Sequence, residues 1–335
     1  MTFLNVSPGT VRKLACSGSM PEQVHVFEES AIHAVNAALE ARRPLLVRGE
    51  PGIGKSQLAR AAAAALGRAY VSCVVDARTE SRDLLWQFDA VTRLAEAQLA
   101  HTWGEPAEAV RERLAVRYFV IPGPLLWVFN WDSAHAQAEE AARRQAAQVE
   151  QWTPPQPDGG DPKNGCVLLV DEIDKAESDL PNGLLEALGA GQFTPFGAHD
   201  PVVAGVIPPL VVITTNEERA LPDAFVRRCL VLPLSLPGPL SLPGKEAELI
   251  ALLAERGRAH FPDLDQSILE QGARQLVADR KKAIDQRWRP LPGQAEYLDL
   301  LRAVRGLAPG DVQGQKRLMD QIGTYVLSKQ VGSSS

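Results

Sequence analysis

The sequence has little of what marks a secreted, metal-bound or membrane-spanning chain. It has only four cysteines (Cys16, Cys73, Cys166 and Cys229), widely spaced and without a CxxC pair. That excludes a disulfide scaffold or a zinc ribbon and fits reduced thiols in the cytoplasm. Its six histidines fall at no metal-ligand spacing. No apolar run approaches the ~18 residues that cross a bilayer. The opening MTFLNVSPGTVRKLACSGSM has one short basic pair and no apolar stretch, so it does not read as a secretory signal. No membrane association is therefore expected. Positive charge is not in excess either: a net charge of −6 has the wrong sign for a protein that coats nucleic acid. The rest is ordinary, with 45% hydrophobic and 23% charged residues in a chain of 335, long enough for two domains.

Short apolar runs alternate with helical stretches, the pattern of a parallel sheet covered on both faces. The runs PLLVRG, AYVSCVVD (69–76), CVLLVDE (166–172), PLVVITTN (209–216) and CLVLPLSL (229–236) predict five strands. A helix is expected over 28–41, with Ile32, Val35, Ala38 and Leu39 on one face, and an alanine-rich helix follows the first strand. The first 23 residues read as a flexible arm. Between the second and third strands, about ninety residues exceed what one crossover helix needs. They predict a helix over 82–99, the segment YFVIPGPLLWVFNW, a helix over 133–152 and a linker-like loop, TPPQPDGGDPKNG, with an insertion assigned to 103–165. The twice-repeated SLPG, at 235 and 241, continues neither strand nor helix and marks a linker at 237–243. Beyond it only helices are expected, over 245–259, 265–284, 294–304 and 312–328. The domains are thus an α/β core at 24–236 and a small all-α lid at 244–331, with a disordered tail at 332–335.

The chemistry is concentrated in the core. Gly49, Glu50, Pro51, Gly52, Ile53, Gly54, Lys55 and Ser56 fit GxxxxGK[ST] between an apolar strand and a helix that continues with Gln57. Glycines there let successive N–H groups turn inward around phosphates, and the helix adds the field of its positive end. Lys55 would bridge the outer phosphates, and the Ser56 hydroxyl would ligate Mg2+. The third strand ends in Asp171 and Glu172, placing one carboxylate to hold Mg2+ through water and the other to act as base on an attacking water. Asp174 and Lys175 follow as either a structural or a subunit-contact pair. Asn216 ends the fourth strand beside Asp171, where its amide could position the water or touch the γ-phosphate. Arg227 and Arg228 follow a short helix with no phosphate of their own to serve, as an arginine finger for a neighbouring subunit would. Arg289, in WRPLPG ahead of a lid helix, could reach the phosphates from the second domain. Contacts to the base are expected near His25, Val26 and Phe27.

Taken together and in this order, these signals resemble the AAA+ superfamily. LLVRGEPGIGKSQLA, RDLLWQFDA, LLVDEIDKAESDLPNGLLEAL and VITTNEERALPDAFVRRC are most similar to MoxR-like ATPases, over about residues 24–305. The resemblance implies a P-loop three-layer αβα domain with a parallel five-stranded sheet and a helical lid. It also implies ATP and Mg2+ as cofactors, hydrolysis of ATP, and a homo-oligomeric ring, usually hexameric, with ATP between subunits. Such ATPases remodel or activate partner complexes, often with a von Willebrand factor A-domain protein. The family also carries an insertion in the second helix and a hairpin before the sensor strand; GPLLWVFNW and GQFTPFGAHDPVVAGVIPP occupy comparable places. In the family finger motif an acid precedes one arginine, whereas here Arg227 stands at the acid's place; Arg228 aligns with the finger and Arg227 stays open. Trp127, Phe129 and Trp131 are candidates either for gripping a substrate at a central pore or for the core. A nucleotide-controlled assembly switch is the alternative function, and a nucleic-acid motor a third.

Overall fold

The computed structural model describes residues 3–16, 22–103, 106–145, 148–177, 179–197 and 200–326. The chain opens with an antiparallel pair, β1 (Val11–Leu14) and β2 (Gln23–Val26), in the register Val11↔Val26. Helix α1 (Glu29–Ala41), β3 (Leu45–Gly49), α2 (Lys55–Leu66) and β4 (Arg68–Val74) follow. The flexible arm expected at the N-terminus is thus corrected in its described part. β1 is held by β2, Leu4 and Leu14 are buried, and the Arg12 guanidinium donates to Ala64 O at the end of α2. This explains the run of alanines in α2. Packed between the sheet and the β1–β2 pair, Ala59, Ala61, Ala62 and Ala63 are all buried, and larger side chains would hold the layers apart.

Between β4 and β7 (Asp161–Asp171) lie β5 (Trp86–Phe88), α3 (Ala90–Trp103), α4 (Ala107–Arg113), β6 (Val120–Pro122), α5 (Pro124–Phe129) and α6 (Trp131–Gln145). The expected helix over 82–99 is displaced, since residues 81–84 form a 3-10 turn and β5 comes before α3. β5 pairs with β6 and brackets α3 and α4, whereas α5 and α6 are the layer that covers the sheet. Burial decides the role of the aromatics. Trp127 (2% exposed) and Phe129 (4%) belong to the core, and Trp131 packs against Trp127 with ring centroids 4.9 Å apart. None of the three is placed to grip a substrate.

The proline-rich loop is no free linker. Gln156 exchanges hydrogen bonds with the backbone of Tyr70 (2.8 Å each way), and Asp158 pairs with buried Arg60 at 2.7 Å. Two polar side chains thus anchor a segment whose composition alone signalled mobility.

Helix α7 (Asp179–Ala190), the hairpin β8 (Gln192–Phe193) and β9 (Val202–Val203), β10 (Leu210–Thr215), α8 (Asp223–Val226) and β11 (Leu230–Leu234) complete this part. The hairpin before β10 is where the resemblance put one. The five-stranded sheet runs β11-β3-β10-β7-β4, all parallel. Alternation along each strand sorts residues to two faces. Leu46, Leu168, Val170, Val211 and Ile213 face α5, α6 and α7, while Leu45, Val47, Val167, Leu169 and Val212 face α1 and α2. The result is a three-layer αβα arrangement.

Helices α9 (Lys245–His260), α10 (Gln266–Asp285), α11 (Gln294–Leu307) and α12 (Val312–Val326) enclose a core of their own around Leu249, Leu253, Leu269, Leu276, Tyr297 and Leu301. Asp265 caps α10, accepting from Ser267 N at 2.8 Å. The expected tail at 332–335 lies outside the described residues. No described helix is long and apolar enough to cross a membrane, and the cysteines among the described residues are free.

Candidate functional site

Three strand ends meet the start of α2. In a parallel sheet the carboxyl ends of β3, β7 and β10 open on one side, and there the backbone turns into the glycine loop. Gly52 has φ +77°, and a Cβ on it would lie 2.5 Å from Ala295 Cβ, so the loop passes directly under α11. Only glycine allows both the backbone turn and that approach.

Lys55 is buried (6% exposed), and its three protons are all placed: Nζ donates to Gly49 O (2.8 Å), Glu50 O (2.9 Å) and Asn216 Oδ1 (2.7 Å). Burial lowers its pKa, against the opposing pull of Asp171, Asp174, Glu172 and Glu217. Ser56 Oγ donates to both oxygens of Asp171, at 2.8 and 2.9 Å. Thr214 Oγ1 accepts from Glu172 N (3.0 Å) and donates to Asp171, locking the two acids to β10.

Glu172 has φ +60°, an uncommon conformation for a side-chain-bearing residue that clusters at functional sites. Its Oε1 accepts from Asn216 Nδ2 (3.3 Å) and its Oε2 from Lys175 Nζ (2.6 Å). Asp174 is 2% exposed and accepts from the backbone N–H groups of Asn216 (3.3 Å) and Glu218 (2.9 Å). Of the two readings left open for Asp174 and Lys175, Asp174 is structural and holds Asn216 in place, while Lys175 touches Glu172.

Lys55, Ser56, Asp171, Glu172 and Asn216 line a cavity of ≈ 360 Å³ together with Pro51, Gly52, Gly54 and Gln57. Its far wall comes from the lid: His260, Gln294, Ala295, Leu298, Asp299 and Arg302. Ile53 faces an adjoining slot, and the Glu50 carboxylate accepts from Arg280 of α10 at 2.7 Å. Arg289 is exposed and does not line the cavity; Arg302 is the lid arginine that does. Arg227 and Arg228 are exposed at the end of α8, away from the lining of their own chain's cavity, with their backbone carbonyls held by Arg43. Near the base contacts expected from sequence, His25 and Val26 line the slot, while Phe27 (1% exposed) is core. The oxygen donors Ser56 and Asp171 suit Mg2+, which takes one or two protein oxygens and completes its shell with phosphates and water. Among the described residues no cluster of three or more His, Cys, Asp or Glu could hold a metal.

Arg302, Arg280 and Asp174 carried no motif. For Arg302 the signal was helical spacing: on α11 it lies four residues after Leu298 and three after Asp299, so all three share one face.

A solved structure, the crystal structure of a putative ATPase from Cytophaga hutchinsonii, is similar at 12% identity over 89% of this chain and 79% of that one, with a TM-score of 0.36. No curated protein matches the chain. The family model that matches, AAA domain (dynein-related subfamily), covers residues 44–229, more than half of the sequence and the whole run from β3 through α8. The chain belongs to the AAA domain family, dynein-related subfamily.

Proposed function

We propose that the protein is an ATP-hydrolysing machine of MoxR type that assembles into a homo-oligomeric ring, with six subunits as the expected size, and remodels or activates a partner protein complex in the cytoplasm. A von Willebrand factor A-domain protein is the expected kind of partner, and the core at 24–236 and the lid at 244–331 are its two working parts. One observation carries the reading. Lys55, Ser56, Asp171, Glu172 and Asn216 converge on one cavity, whereas Arg227 and Arg228 face solvent elsewhere. A cavity with a base and no arginine finger of its own, and a finger with no cavity of its own, fit a site shared between neighbours.

In this reading Lys55 and the loop N–H groups bind the β- and γ-phosphates of ATP. Ser56 and Asp171 would hold Mg2+, which supplies charge neutralisation on the phosphates when bound. Glu172 takes a proton from the water that attacks the γ-phosphorus, and Asn216 orients that water through the same carboxylate. Arg228 from the adjacent subunit stabilises charge on the transferring phosphoryl group. Arg302 closes over the phosphates from the lid.

The test is a pair of variants. Lys55→Ala should lose nucleotide binding. Arg228→Ala should keep ATP affinity and lose at least about 100-fold in turnover. An Arg228→Ala protein that hydrolyses ATP normally would refute the shared site.

A further inference from the structure

Helix α8 is only four residues long, and the carbonyls that follow it belong to Arg227 and Arg228. Carbonyls at a helix end have no partner within the helix and must find one elsewhere. Here both accept from one distant side chain. Arg43 Nε donates to Arg228 O at 3.0 Å, and a terminal nitrogen of the same guanidinium donates to Arg227 O. Arg43 sits in the turn between α1 and β3, and its own backbone is fixed on both sides. Its N–H donates to Ala38 O at 3.2 Å, just after the left-handed Arg42 (φ +52°) that ends α1. Pro44 O, one residue on, accepts from Leu230 N at 2.9 Å, where β11 joins β3. The guanidinium therefore reaches from the root of β3 to residues 227 and 228, just ahead of β11. Two N–H groups in a rigid fork can hold two neighbouring carbonyls, which a lysine ammonium on a flexible stem does less well.

We infer that Arg43 is a positioning residue for the arginine finger, clamping the backbone of Arg227 and Arg228 so that the finger is presented to the neighbouring subunit in one orientation. The inference rests on the reading of the site as shared between subunits. The rest of the finger segment leaves this task open. Residues 217–220 and 227–228 are exposed, while Phe225 and Cys229 are buried beneath them. Two apolar anchors set how deep the turn sits, but being non-directional they leave its rotation free. Two hydrogen bonds to successive carbonyls fix that rotation. Charge acts in the same sense. Among the described residues none of Arg43, Arg227 and Arg228 is paired with a carboxylate, so like charges share this corner. A guanidinium held on the carbonyl side repels the two finger side chains and favours their extension away from it. Position matters here, because a group misplaced by about 1 Å can cost about 100-fold in rate.

The experiment asks whose site Arg43 serves. Steady-state ATP hydrolysis by the full chain is compared for wild type, Arg43→Met, Arg43→Lys and Arg228→Ala. Methionine keeps much of the stem and removes the donors. Arg43→Met should leave KM for ATP within about twofold and lower kcat about three- to thirtyfold, the order of one or two hydrogen bonds. Arg43→Lys should recover part of that loss. Each protein is then mixed with an excess of Glu172→Gln subunits, which have an intact finger and no base. In the mixture nearly every Arg43→Met site is completed by a Glu172→Gln finger, so its rate should return to within about twofold of wild type in the same mixture. A fault in the variant's own fold or own cavity would not be mended this way. Unchanged kcat in Arg43→Met alone, or a deficit that persists in the mixture while that of Arg228→Ala is mended, overturns the assignment. Full turnover by Arg228→Ala alone, or a deficit of Arg228→Ala that mixing leaves in place, would instead overturn the shared site beneath it.

Discussion

Lys175 Nζ lies 2.6 Å from Glu172 Oε2, while Asn216 Nδ2 approaches the other oxygen of the same carboxylate at 3.3 Å. The candidate base is thus shared between a lysine one helical turn along its own chain and an amide from the neighbouring strand. A Glu172 oxygen that accepts from Lys175 is less available to a water. Replacing Lys175 with methionine should raise ATP turnover about two- to tenfold, read in steady-state hydrolysis. The pair is partly exposed, and such ion pairs contribute little to stability, so the melting temperature should not move. Unchanged turnover would mean the contact is incidental.

The ion pair of Arg60 with Asp158 should matter for the opposite reason, because Arg60 is buried, with 3% of its side chain exposed. Asp158 also accepts from Ala15 N at 2.8 Å, and Arg60 donates to Ala15 O, so the pair pins the strand β1 against α2. Asp158→Ala leaves a buried cation alone and should cost about 3 kcal/mol in urea unfolding. The double change Arg60→Met with Asp158→Ala should recover most of that loss.

Much of the candidate site's convergence was legible because each of its pieces is local. The glycine loop, the Asp171–Glu172 pair and Asn216 each end a strand, and a parallel sheet must bring those ends together. What escaped depends on pairs far apart in sequence. Arg280 meets Glu50, Asp158 meets Arg60, and Arg302 meets the cavity only because α11 crosses Gly52. The N-terminal strand is four residues long and gets its order from β2 and α2, not from its own pattern. The tryptophan-rich segment reads equally well as core or as grip until burial settles it.

Gly52 is one of the places where core and lid touch. Gly52→Ala puts a methyl group 2.5 Å from Ala295 Cβ at a φ of +77°. The change should destabilise the protein by about 1–3 kcal/mol and weaken nucleotide binding by lifting the lid. Adding Ala295→Gly should relieve the clash and restore part of the stability, leaving only the backbone strain. Full tolerance of Gly52→Ala would show that the loop does not pack as described.

Acid should destabilise the fold through His25, which is buried, and His260, which is half-buried. His25 falls from 6.5 to about 3 and His260 from 6.5 to about 4, both first through burial. Between those values the unfolded chain binds more protons than the native one. Stability is therefore complete above pH 6.5 and lost as pH falls toward the folded values. His25 contributes a slope of up to about 1.4 kcal/mol per pH unit; His260, more exposed, contributes less. Urea unfolding at pH 7.5, 6 and 5 should show this decline, and His25→Leu should make it shallower.

The shared site is tested most directly by the mass in solution of the Glu172→Gln protein with and without Mg-ATP. Removing the base should hold ATP in place, and the expected result is a shift from small species to a ring on adding nucleotide. A protein that binds ATP yet remains a monomer would contradict the account.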